Sequence, residues 1–60
     1  PEAQQQALMS SGIAKAFFEK KEIEKSITFI KKAINLATEQ SDNHLQEYKN
    51  QLLIYQNSKK

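Results

Sequence analysis

The chain is predicted to be all-α: an antiparallel helical hairpin followed by a third helix. Three observations predict it. One Gly and one Pro in 60 residues leave few helix breakers. Gln, Lys, Glu, Ala, Ile and Leu, all compatible with helix, dominate the composition. Apolar residues recur at three- and four-residue intervals across two long stretches separated by a short polar one. Sixty residues make at most one small domain, or a piece of a larger one, and residues 1–60 read as a single unit.

The first helix is expected from about Glu2 to Glu19, with Ala3, Ala7, Ile13, Ala14 and Phe17 on its buried side. Gly12 lowers helix propensity by about 1 kcal/mol against Ala. It reads either as a tolerated surface glycine or as a point of close backbone approach. Lys20-Lys21-Glu22 is a tight connection without Gly or Pro, and a continuous helix through residues 18–24 is the alternative there.

The second helix is expected from about Glu22 to Gln40. Ile23, Ile27, Ile30, Ala33, Ile34 and Ala37 form one wide apolar stripe, and Phe29 and Leu36 lie off it. A helix apolar on two sides needs two neighbours. Gln40-Ser41-Asp42-Asn43 is the polar turn cluster, where Ser41 or Asp42 is suited to cap the next helix, with His44 and Leu45 in its first turn. That third helix is expected from about Asn43 to Asn57, with Leu45, Tyr48, Leu52 and Tyr55 on one face. Leu53 and Ile54 either widen this stripe or stay exposed. Ser58-Lys59-Lys60 reads as a frayed end whose lysines suit a helix C-terminus.

The small residues Ala14, Ser26 and Ala33 sit among bulky neighbours, where they allow two helix backbones to approach closely. Ile13-Ala14-Lys15-Ala16-Phe17-Phe18, then Ile23, Ser26, Phe29-Ile30 and Ala33, resembles the signature of a tetratricopeptide repeat over about residues 8–37. The chain departs from it at Lys21, where the turn often has Gly, and at Thr38-Glu39-Gln40, where a Pro commonly ends the repeat. The extended Ala37–Asp42 end is similar to the longer repeats of Gram-positive peptide-pheromone receptors. The third helix lacks the small residue and reads as a terminal cap over an apolar face. The resemblance implies right-handed stacking of one repeat plus a cap, and upstream repeats or self-association for stability.

It also implies a protein or peptide partner held on the first helix by Leu8, Ser11, Lys15, Phe18 and Glu19. In that reading Lys15 pairs with a ligand carboxylate and Phe18 covers an apolar side chain. The bland reading makes Phe18 ordinary core and Lys15 ordinary surface. A second reading is structural: the segment seals an array or pairs with itself through Phe29, Leu36, Leu53 and Ile54. A third is a microtubule-interacting-and-transport type domain, also three helices, binding partner helices in its grooves. Phe17-Phe18 fits the tetratricopeptide pattern better.

Other functions are disfavoured. There is no Cys and one His, so neither a disulfide nor a thiolate metal site is possible, and no metal or cofactor is expected. His44 reads as a surface residue. No nucleophile has a base at suitable spacing, and Ser10-Ser11-Gly12 lacks the glycines and Lys of a phosphate loop, so no enzyme is expected. The net charge is +2, carried by nine Lys with no Arg, and Lys20, Lys21 and Lys25 alternate with Glu19, Glu22 and Glu24. This alternation reads as a solvated face, and the absence of Arg argues against sequence-specific nucleic-acid binding. No apolar run reaches the roughly 20 residues of a membrane span. The N-terminal Pro1-Glu2-Ala3-Gln4-Gln5-Gln6 is not a signal peptide and lacks a starting Met, as a trimmed or excised piece would. A cytoplasmic location is expected.

Overall fold

A computed structural model describes residues 2–59, with side chains from residue 5 onward. Among the described residues it contains three α-helices: α1 (Glu2–Glu19), α2 (Ile23–Gln40) and α3 (Leu45–Asn57). The all-α architecture is as predicted. α2 is the central element: α1 runs along one side of it and α3 along another. The connection at Lys20-Lys21-Glu22 is a true break and not a continuous helix.

Small residues set the helix spacing. Ala7 and Ala14 on α1, and Ser26, Ala33 and Ala37 on α2, are completely buried. With little side chain between the axes, the two backbones approach closely and ridges seat in grooves. The Ser26 hydroxyl would be costly there without a partner. It donates to the Ile23 carbonyl at 2.6 Å, within its own helix. Ile30 is the largest fully buried side chain, and Tyr48 and Tyr55 bring the core up to α3.

The buried stripe of α1 differs from the predicted one at one place. Ile13 is 40% exposed, whereas Ser10 is buried. Ala7, Ser10, Ala14 and Phe17 step by three, four and three, and Ile13 stands one residue, about 100° of rotation, off that line. The expected position of Ala3 lies outside the described side chains. Gly12 is the surface glycine: a Cβ added there would meet nothing within 4 Å.

Both inter-helix turns have the same architecture. At the end of α1 the Glu22 N–H donates to the Phe17 carbonyl and the Lys21 N–H to the Phe18 carbonyl, both at 2.9 Å. At the end of α2 the Asp42 N–H donates to the Ala37 carbonyl at 2.9 Å and the Ser41 N–H to the Thr38 carbonyl at 3.4 Å. These are Schellman closures, which place one residue in the left-handed region. Lys21 (φ 67°) and Ser41 (φ 52°) occupy those positions, which glycine takes without steric cost. Lys21→Gly should therefore stabilise the chain by about 0.5–1 kcal/mol. Urea unfolding followed by circular dichroism measures it, and a variant less stable than the parent would mean the turn is not left-handed at Lys21.

Ser41 thus ends α2 and does not cap α3. α3 starts at Leu45, two residues later than predicted, with His44 in the cap position and without a side-chain cap of its own. Asp42 holds the start of α3 instead. Its Oδ1 accepts the His44 backbone N–H at 3.0 Å and lies 2.9 Å from His44 Nδ1. These bonds, the backbone one first, hold the Asp42 carboxyl below its ordinary pKa. His44 is half-buried beside Tyr48, with ring centroids 6.1 Å apart, and not a fully exposed surface residue.

Candidate functional site: a groove between the first and third helices

Phe17 and Phe18 are neighbours in sequence but point to different sides of α1, about 100° apart. Phe17 stacks on Phe29 of α2, with centroids 5.5 Å apart. Phe18 stacks on Tyr55 of α3 at 4.6 Å. The second contact is the floor of a cleft between α1 and α3 with a volume of about 310 Å³. Lys15, Phe18 and Glu19 line one wall, and Gln51, Ile54 and Tyr55 the other.

The spacing of these residues follows from helix geometry. Lys15, Phe18 and Glu19 occupy i, i+3 and i+4 on α1, and Gln51, Ile54 and Tyr55 repeat that pattern on α3. The base is aromatic and the rims are polar. Tyr55 is 4% exposed, and burial raises its phenol pKa, with the nearby Glu19 charge adding to the effect. Its hydroxyl makes a long contact of 3.5 Å with Gln51 Oε1. Lys15 and Glu19 are exposed at the rim. No ion pair joins them among the described residues. The Lys-before-Glu order is also the weaker arrangement on a helix. Both charges therefore face the cleft mouth without an ion-pair partner among the described residues.

Three of the five first-helix residues predicted to bind a partner, Lys15, Phe18 and Glu19, come together here. Leu8 and Ser11 do not line the cleft. Leu8 is 45% exposed, and Ser11 is half-buried with its hydroxyl donating to the Leu8 carbonyl at 2.9 Å. They lie one to two turns toward the N-terminus on the same side of α1. Beneath them the Tyr48 hydroxyl is buried without a hydrogen-bond partner among the described residues, and burial raises its pKa. The predicted self-association residues are dispersed. Phe29 and Leu36 are half-buried against the core, Ile54 belongs to the cleft, and Leu53 is exposed on the outside of α3. Gln51 and Tyr55 were not expected at a site, although their register with Ile54 is visible in the sequence once α3 is known to lie beside Phe18.

Among the described residues no group of three or more Asp, Glu and His side chains is placed to hold a metal ion, and no helix is long and apolar enough to cross a membrane. An aromatic floor with a cation and an anion one helical turn apart suits an amphipathic ligand: an apolar side chain below, polar groups above. No protein-family model matches the chain, and no curated protein or solved structure is significantly similar to it. The described residues thus define a class, an all-α three-helix fold with an aromatic-floored groove between α1 and α3, and the functional reading rests on the groove's residues.

Proposed function

We propose that this chain is a protein-interaction module that holds a peptide, or an extended or helical segment of a partner protein, in the α1–α3 groove. The stacked Phe18–Tyr55 floor beneath the unpaired Lys15 and Glu19 carries this reading. Aromatic floors supply most of the affinity at such sites, and rim charges set orientation and partner choice. The likeness of residues 8–37 to a tetratricopeptide repeat supports it, because in that family the first helices line the ligand groove. The outer side of α3, with Gln46, Lys49, Asn50 and Gln56 exposed around Leu53, supports α3 as a terminal cap in such a stack.

Lys15 is assigned to a ligand carboxylate. Peptides selected for binding from an acidic, aromatic-containing library should shift the NMR signals of Lys15, Phe18, Gln51 and Tyr55. Lys15→Ala should weaken such a peptide by about tenfold and leave helicity unchanged. Shifts centred elsewhere would reject the groove, and unchanged affinity would remove Lys15 from it.

A further inference from the structure

The groove occupies one side of the hairpin, and the opposite side is apolar and uncovered. Ile13 and Phe17 stand one turn apart on α1, and Phe29 and Leu36 two turns apart on α2. The Phe17–Phe29 stack joins the two pairs into one surface. α3 meets α1 through Phe18, on the other side. Phe17, Phe29 and Leu36 are only half-buried, Ile13 is 40% exposed, and Met9, 66% exposed, extends the strip. Scattered exposed apolar residues are ordinary, but a contiguous strip built on a stacked aromatic pair is not.

We propose that this face pairs with the same face of a second copy of the chain, about a two-fold axis that sets the two α2 helices antiparallel. The charge pattern of α2 identifies the occupant. Lys25 and Glu39 stand seven residues on either side of Lys32, at the edge of the apolar strip. Lys25 marks that edge directly, since its ammonium lies 5.5 Å from the centroid of the Phe17 ring and 3.1 Å from Glu22. In an antiparallel pair centred near Lys32 and Ala33, Phe29 of each copy faces Leu36 of the other, and Lys25 of each faces Glu39 of the other. In a parallel pair Lys25 would meet Lys25 and Glu39 would meet Glu39, which is repulsive. Lys32 falls near the axis, where its long stem lets the ammonium reach water.

A two-fold pairing uses one patch twice and closes at two copies. A head-to-tail stack would need an apolar surface on the far side of α3, where Leu53 stands among polar residues. The molecule measures 34 × 16 × 12 Å over its Cα atoms, so the shared face is at the small end of specific interfaces. The dimer is accordingly of micromolar strength. It is independent of the groove, which lies on the other side of the hairpin.

Sedimentation equilibrium of the chain between about 1 μM and 1 mM, a range bracketing that strength, tests the pairing. A monomer–dimer equilibrium is expected. Ile13→Glu should raise the dissociation constant by at least about tenfold while helicity is retained, because it buries a charge at the contact, whereas Leu53→Glu should leave it unchanged. Glu39→Lys should weaken the dimer, and the double variant Lys25→Glu, Glu39→Lys should recover most of the loss. A folded monomer at every concentration would overturn the proposal. So would growth past two copies, or dissociation by Leu53→Glu but not by Ile13→Glu.

Discussion

Ile30→Ala should leave most of the chain unfolded at 25 °C. Ile30 is the largest fully buried side chain, on the central helix, and belongs to the same buried cluster as Ala14, Ala33, Tyr48 and Tyr55. Truncating a buried Ile costs about 2–5 kcal/mol, because lost transfer free energy is joined by an unfilled cavity. A core of this size supplies only about 3–5 kcal/mol in total. The surrounding alanines worsen the loss, since they have no side-chain freedom with which to close the gap. Circular dichroism at 222 nm with urea titration is the measurement. Ile30→Val should cost about 0.5–1.5 kcal/mol and stay folded. If Ile30→Ala lost less than about 1 kcal/mol, the core would not be organised around this residue.

Much of this core was legible because α2 has strong contrast. Its isoleucines and alanines fall on one broad stripe between charged residues, of which Ile30, Ala33 and Ala37 are buried and Ile23, Ile27 and Ile34 half-buried. α1 has weak contrast. Alanines, serines and glutamines occupy most of its first three turns, so a one-residue error in phase changes little in the pattern. That is why the expected buried side includes Ile13 and omits Ser10, whereas Ile13 is 40% exposed and Ser10 is buried. A buried serine on a helix carries no hydrophobic signal at all.

The turns were hidden for a different reason. Left-handed positions are usually marked by Gly or Asn, and here a Lys and a Ser occupy them. The closure geometry of the backbone overrides side-chain preference at both. Asp42 was recognisable as a capping type, but its bond goes to the His44 N–H just outside α3. The groove was half legible. Lys15, Phe18 and Glu19 share a face by spacing alone, whereas the opposite wall depends on where the third helix docks, and helical periodicity says nothing about that. Phe18 is the residue that decides it, since it selects Tyr55 as its stacking partner.

Tyr55→Ala should release α3 from the hairpin and abolish the groove with it. Tyr55 contributes the ring that α1 holds through Phe18, and it is 4% exposed. Removing a buried aromatic side chain costs about 3–5 kcal/mol, as much as the whole unit can supply. The loss should be spatially uneven. α1 and α2 keep the Phe17–Phe29 stack and their alanine-lined crossing, whereas α3 keeps its packing on the core through Leu45, Tyr48 and Leu52. Amide hydrogen exchange should therefore reach the unprotected rate first across Leu45–Asn57. Tyr55→Phe separates the ring from the hydroxyl. The phenol makes only the long 3.5 Å contact with Gln51, so the Phe variant should stay within about 0.5 kcal/mol of the parent and retain groove binding. The comparison assigns the site's energy to stacking: binding kept by Phe and lost by Ala places the ligand on the aromatic floor. Binding retained by the Ala variant would mean that the ligand is held on α1 alone.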